Sequence, residues 1–110
     1  MYQEDFLLRQ IQQLAQAVID ALAQAEKDAR AALEQLQTVR AELGLPDALL
    51  DGLDPAGLLA VLGPEKVGVL VQLLEAEAHS HEALGDDATA EVRRRRAARL
   101  RSLQPPLSAG

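Results

Sequence analysis

A chain of 110 residues has the length of one domain and can bury a modest core. It contains no cysteine, which excludes disulfides, thiolate metal sites and a cysteine nucleophile and suits a reducing compartment, so a cytoplasmic protein is expected. The net charge of −6 conceals a divided chain: residues 1–92 carry all 17 acids against 5 bases, a balance of −12, whereas residues 93–110 carry 6 arginines and no acid.

The composition is rich in strong helix formers and poor in β-branched residues. With one Phe, one Tyr and no Trp, the core must come from Leu, Val, Ile and Ala. Residues Met1–Gln10 do not read as a signal peptide, and the longest apolar run, Leu58–Leu62, is too short to cross a bilayer. No membrane association is expected.

Glycine and proline punctuate the chain where helices would start or stop. Residues 3–43 contain neither, and Leu7, Ile11, Leu14, Val18, Leu22, Ala25, Ala29, Ala32, Leu36, Val39 and Leu43 keep a helical spacing. That pattern fits one helix of roughly 60 Å at 1.5 Å per residue. It fits equally two helices broken by a tight turn within Ala23–Asp28, with Asp28 as the second N-cap. Two helices are the preferred reading, because a 40-residue helix far exceeds the usual length.

Gly44 and Pro46 end this region, and a short irregular segment, Leu45 to Gly52, follows. Asp54-Pro55 supplies an N-cap and an N1 proline for a short helix ending at Gly63. Pro64 opens the next helix, Glu65 to about Leu84, with the stripe Val67, Leu70, Val71, Leu74 and Ala78. Gly85 stops it, and Asp86-Asp87 cap a last helix to about Leu103. Residues 1–103 are read as a single helical domain and 104–110 as a flexible tail. The expected fold is all-α, four to five helices packed as antiparallel hairpins, the last hairpin turning at Gly85–Asp87. That hairpin has the size of one tetratricopeptide repeat but lacks its signature aromatics.

The opening run Gln3-Glu4-Asp5-Phe6-Leu7-Leu8-Arg9-Gln10-Ile11-Gln12-Gln13-Leu14 resembles the start of a bacterial family known only as a domain of unknown function, whose members begin Q-x-D-[YF]-hydrophobic-x-R-Q-I-x-Q-L. Ala32-Leu33-Glu34-Gln35-Leu36 resembles that family's second helix. The resemblance implies a helical, tetratricopeptide-like fold with a break between the first two helices, and it implies no activity. This chain departs from the family at the break, where Lys27-Asp28-Ala29-Arg30 replaces a glycine-containing segment.

Candidate chemistry is sparse. His79 and His81 point about 200° apart on a helix and cannot share a metal. Glu75, His79 and Glu82 lie on one helix face, as half of a metal site or as a solvated polar face; the second is preferred. Neither Ser80 nor Ser102 sits in a nucleophile elbow, and no phosphate-binding glycine loop is present. No enzyme, metal or cofactor is expected. Asp5, Phe6, Arg9 and Gln10 form a candidate partner surface, although Asp5 and Arg9 also suit an ordinary i, i+4 ion pair. Arg93, Arg94, Arg95, Arg96 and Arg99, with Arg101, form a candidate anion contact. Four consecutive arginines spread over about 300° of a helix, so one must face inward. With no interleaved aromatics and an acidic body, nucleic acid is the less favoured ligand, and neutralisation of the acidic helices is preferred. The expected role is a small helical scaffold or protein-interaction module, with an unknown protein partner or a homodimer. The alternative is binding of nucleic acid or an anionic surface through the last helix.

Overall fold

The computed structural model describes residues 2–45, 50 and 52–103, with the backbone alone described for residues 2–7. Five helices are described: α1 (Tyr2–Ala25), α2 (Ala29–Glu42), α3 (Pro55–Leu62), α4 (Pro64–Ala83) and α5 (Asp87–Leu103). Among the described residues there is no strand. The tail expected at 104–110 lies outside the described residues, as does most of the segment expected to be irregular between Leu45 and Gly52. Within that segment Leu50 and Gly52 are helical.

The long N-terminal stretch is broken in two. The Gln24 carbonyl accepts from both Lys27 and Asp28, at 2.9 and 2.8 Å, which closes the end of α1 without glycine or proline. Asp28 then takes an extended conformation, and its carboxylate accepts from the Ala31 amide at 3.1 Å. It thereby satisfies one of the amides left without a helical partner at the start of α2. The longest principal extent of the molecule is 44 Å, well short of an unbroken 40-residue helix.

Gly44 and Gly85 end α2 and α4 in the same way. After α4 the Gly85 amide bonds to the Glu82 carbonyl at 3.0 Å, and the Asp86 amide reaches back to His81 at 2.8 Å. This paired closure requires the left-handed backbone that Gly85 adopts, φ +84°. Asp86 alone caps α5, accepting from Thr89, so the turn ends one residue earlier than expected and Asp87 belongs to the helix. Gly63, between α3 and α4, has φ +85° and ψ 162°, a region essentially closed to residues with a Cβ.

Helix α4 is the centre of the molecule and packs against α1, α2, α3 and α5. Its sequence stripe implied one buried face. The structure also buries Val69, Leu73, Ala76, Glu77 and Ser80, because neighbours cover α4 on several sides. Leu14, Val18 and Ala21 of α1, Leu36 and Val39 of α2, and Ala97 and Leu100 of α5 join the same core. Leu22 departs from the expected stripe: it is 42% exposed, and Ala21 and Ala25 fill the core position instead.

Candidate functional site

The arginines of α5 sit at successive angles around the helix, and each finds different surroundings. Arg93 faces inward, its Nε 3.5 Å from a carboxylate oxygen of Glu77. The other oxygen of Glu77 lies 3.4 Å from the Arg40 guanidinium of α2. This cluster ties α2, α4 and α5 together; Arg40 and Glu77 are 3% and 1% exposed. Arg94 reaches across to Glu82 of α4 at 2.6 Å, Arg101 pairs with Glu75 of α4, and Arg95 pairs with Glu91 on its own helix at 2.8 Å. Three of the six, Arg93, Arg94 and Arg101, meet acids of another helix, and Arg95 pairs within α5.

Arg96 and Arg99 differ from the rest. Arg96, half-buried, donates to the Leu53 carbonyl at 2.7 Å, across 43 positions of chain. Among the described residues neither Arg96 nor Arg99 has a carboxylate within ion-pair distance. Together with Arg95 they line a cleft of about 490 Å³ between α5 and the start of α3. Its other walls are Gly52, Leu53, Asp54, Pro55 and Val92. Asp54 is held there because it caps α3, accepting from the Gly57 amide at 2.7 Å. The candidate anion contact is therefore divided: Arg95, Arg96 and Arg99 converge, while Arg93 and Arg94 point elsewhere.

A second cleft, of about 470 Å³, runs between α1 and α4 and is lined by Val18, Ile19, Leu22, Glu26, Gln72, Glu75, Ala76 and His79. Ile19 is 55% exposed, and Leu8, one further stretch along α1, is 53% exposed. Half-buried Ile11 and Ala15 lie between them in sequence at helical spacing, so α1 carries a second apolar stripe beside its core face. Of the candidate partner surface, Arg9 is exposed and Gln10 half-buried on α1, and the side chains of Asp5 and Phe6 lie outside the described residues.

No protein-family model, curated protein or solved structure matches this chain. The chemistry of both clefts thus rests on the chain's own residues. Glu75 and Glu82 are engaged by Arg101 and Arg94, and exposed His79 gathers no ligand set with them: among the described residues no three His, Asp or Glu side chains cluster as metal ligands. None of the described helices is long and apolar enough to cross a membrane. Burial pushes the His81 imidazole below its ordinary 6.5; Asp86, 3.7 Å from Nδ1, pulls it up, and Arg93 and Arg40 push it down again. The hydrogen bond from Arg94 holds the Glu82 carboxyl below its usual range, and the bonds to Thr89 do the same for Asp86.

The buried Arg40–Glu77–Arg93 cluster was not expected, yet it left a signal. Glu77 stands seven residues after Leu70 and three after Leu74, and Arg40 stands four after Leu36. Charges of opposite sign at core-face positions of two helices mark a buried pair.

Proposed function

We propose that this chain is a small helical interaction module that docks an amphipathic helix of a partner protein in the groove between α1 and α4. The observation that carries this reading is the second apolar stripe of α1, Leu8, Ile19 and Leu22, exposed beside a core face that is already filled. The architecture we infer is two antiparallel hairpins, α1–α2 and α4–α5, in a tetratricopeptide-like arrangement. The short connections at 26–28 and 84–86 support it, as does the resemblance of the opening run to a family with that fold. Helical hairpins of this kind commonly present a groove to a partner helix, read through apolar anchors at i, i+3 or i+4, and i+7.

Charge favours a partner over a second copy. Glu26 stands on the rim, within a body that carries the chain's entire acidic excess, while Glu75 beside it is already paired with Arg101. A two-fold dimer would set like rims against each other, whereas lysines or arginines flanking a partner's apolar stripe would meet their complement. The chain's lack of cysteine suits a scaffold that works in a reducing cytoplasm, which is part of this reading.

The test is the double variant Ile19→Asp, Leu22→Asp, at two exposed positions where helix content should survive. Partners captured by the native chain from its host should be lost by the variant, and crosslinks from the captured partner should map to α1 and α4. Equal capture by the variant would overturn the reading. So would a doubled mass in light scattering that returns to the monomer value in the variant, which would assign the groove to a second copy.

A further inference from the structure

The cleft between α5 and α3 is independent of that groove and has its own chemistry. We propose that Arg95, Arg96 and Arg99 form a binding site for a small phosphate monoester. Guanidinium groups match the oxygens of phosphate, and three from one helix face converge here around a cleft of about 490 Å³. Two of the three are not committed to a carboxylate among the described residues, unlike Arg93, Arg94 and Arg101 on the same helix. Arg96 is also held in place. Its bond to the Leu53 carbonyl uses one of its five N–H donors and restricts the side chain, so donors are left for a ligand at a reduced ordering cost.

The walls select the class of anion. Leu53, Pro55 and exposed Val92 are apolar, which favours an ester with an organic body over bare phosphate. Asp54 also lines the cleft and would repel a bare anion brought against it. One of its oxygens accepts from Gly57, and the carboxylate keeps capacity to accept from a ligand hydroxyl. A hydroxyl-bearing phosphate ester, a sugar phosphate or nucleoside monophosphate in size, satisfies both features. A polynucleotide fits less well: the cleft is of small-molecule size, and the balance of −12 over residues 1–92 repels a polyanion along the rest of the molecule.

Adenosine monophosphate, ribose 5-phosphate and inorganic phosphate, each titrated into the whole chain and followed by the Val92 methyl and arginine Nε resonances, test this. Both esters should shift these signals at millimolar concentration, and inorganic phosphate should bind more weakly. Arg99→Gln, at an exposed position, should weaken ester binding about tenfold, the loss of one charge-assisted contact, while Arg30→Gln on α2 should leave it unchanged. No shift with either ester would overturn the proposal. Equal weakening in the two variants would reduce the effect to overall charge and overturn it as well. A short single-stranded oligonucleotide that binds more tightly than the esters, and loses that advantage in Arg99→Gln, would replace the small ester with nucleic acid.

Discussion

Glu77→Leu is the sharpest test of how the helices are held together. Leucine is larger than glutamate by about one methylene, so the change removes charge without opening a cavity. It leaves the Arg40 and Arg93 guanidinium groups, 3.4 and 3.5 Å from the lost oxygens, without Glu77 between them. Removing one partner of a buried ion pair costs about 3–5 kcal/mol, because the charge left behind keeps its desolvation penalty. A domain of this size has roughly 5–15 kcal/mol of stability, so the variant should fold but with much of its margin gone. For a urea dependence of about 1.5 kcal/mol/M, the unfolding midpoint should fall by roughly 2–3 M, read by circular dichroism. The double variant Arg40→Met, Glu77→Leu should be less destabilised than the sum of the single changes, by about 1 kcal/mol or more, since each single leaves the other's partner buried. A midpoint for Glu77→Leu within about 0.5 M of the native chain, or singles that add within about 0.5 kcal/mol, would refute the reasoning.

Other expectations follow from local geometry. Asp28→Ala removes the cap of α2 and should cost about 1 kcal/mol, read as a lowered thermal midpoint. Gly63→Ala forces a Cβ into a backbone region that glycine alone adopts freely and should cost about 1–3 kcal/mol in urea unfolding. His81 has a folded pKa below its unfolded value of 6.5, so the unfolded chain binds the proton more readily. Its contribution is present above pH 6.5 and is lost as pH falls through the lower folded value. Thermal midpoints should therefore decline on acidification from pH 7.5, and less steeply over the histidine range in His81→Gln. Small-angle scattering should give a radius of gyration near 13.8 Å, and a rod-like profile would contradict the break after Ala25.

Helix ends were the most legible part of the sequence. Asp28, Asp54, Gly63 and Gly85 each act where their chemistry predicts, because caps and left-handed turns depend on a few adjacent atoms. The faces of helices were less legible. Periodicity gave α4 one stripe, but burial depends on how many neighbours surround a helix, and α4 has four. The same limit applied to α1, where Leu22 and Ala21 fit the spacing almost equally and packing left the larger side chain outside. In the arginine run the angular spread was readable and so was the need for one inward residue. Which arginine pairs with Glu77, and that Arg96 meets Leu53, depend on contacts across 16 and 43 positions that no local pattern encodes.

The position of Arg93 also has a consequence for the order in which the protein can be completed. Helix α4 leaves the ribosome before α5, and Glu77 is the only acid among its buried residues. Until residue 93 has emerged, that carboxylate lacks one of the cations that accompany it in the finished core, and the face of α4 that α5 covers stays wet. A nascent chain whose emerged part ends between Gly85 and Arg93 would hold the middle helix without the Arg93 contact to Glu77 and with its apolar flank open to chaperones and proteases. Release of the next two helical turns supplies Arg93 and the Arg96 tether to Leu53 together. Emergence of this helix is thus coupled to the moment at which the earlier helices become difficult to pull apart.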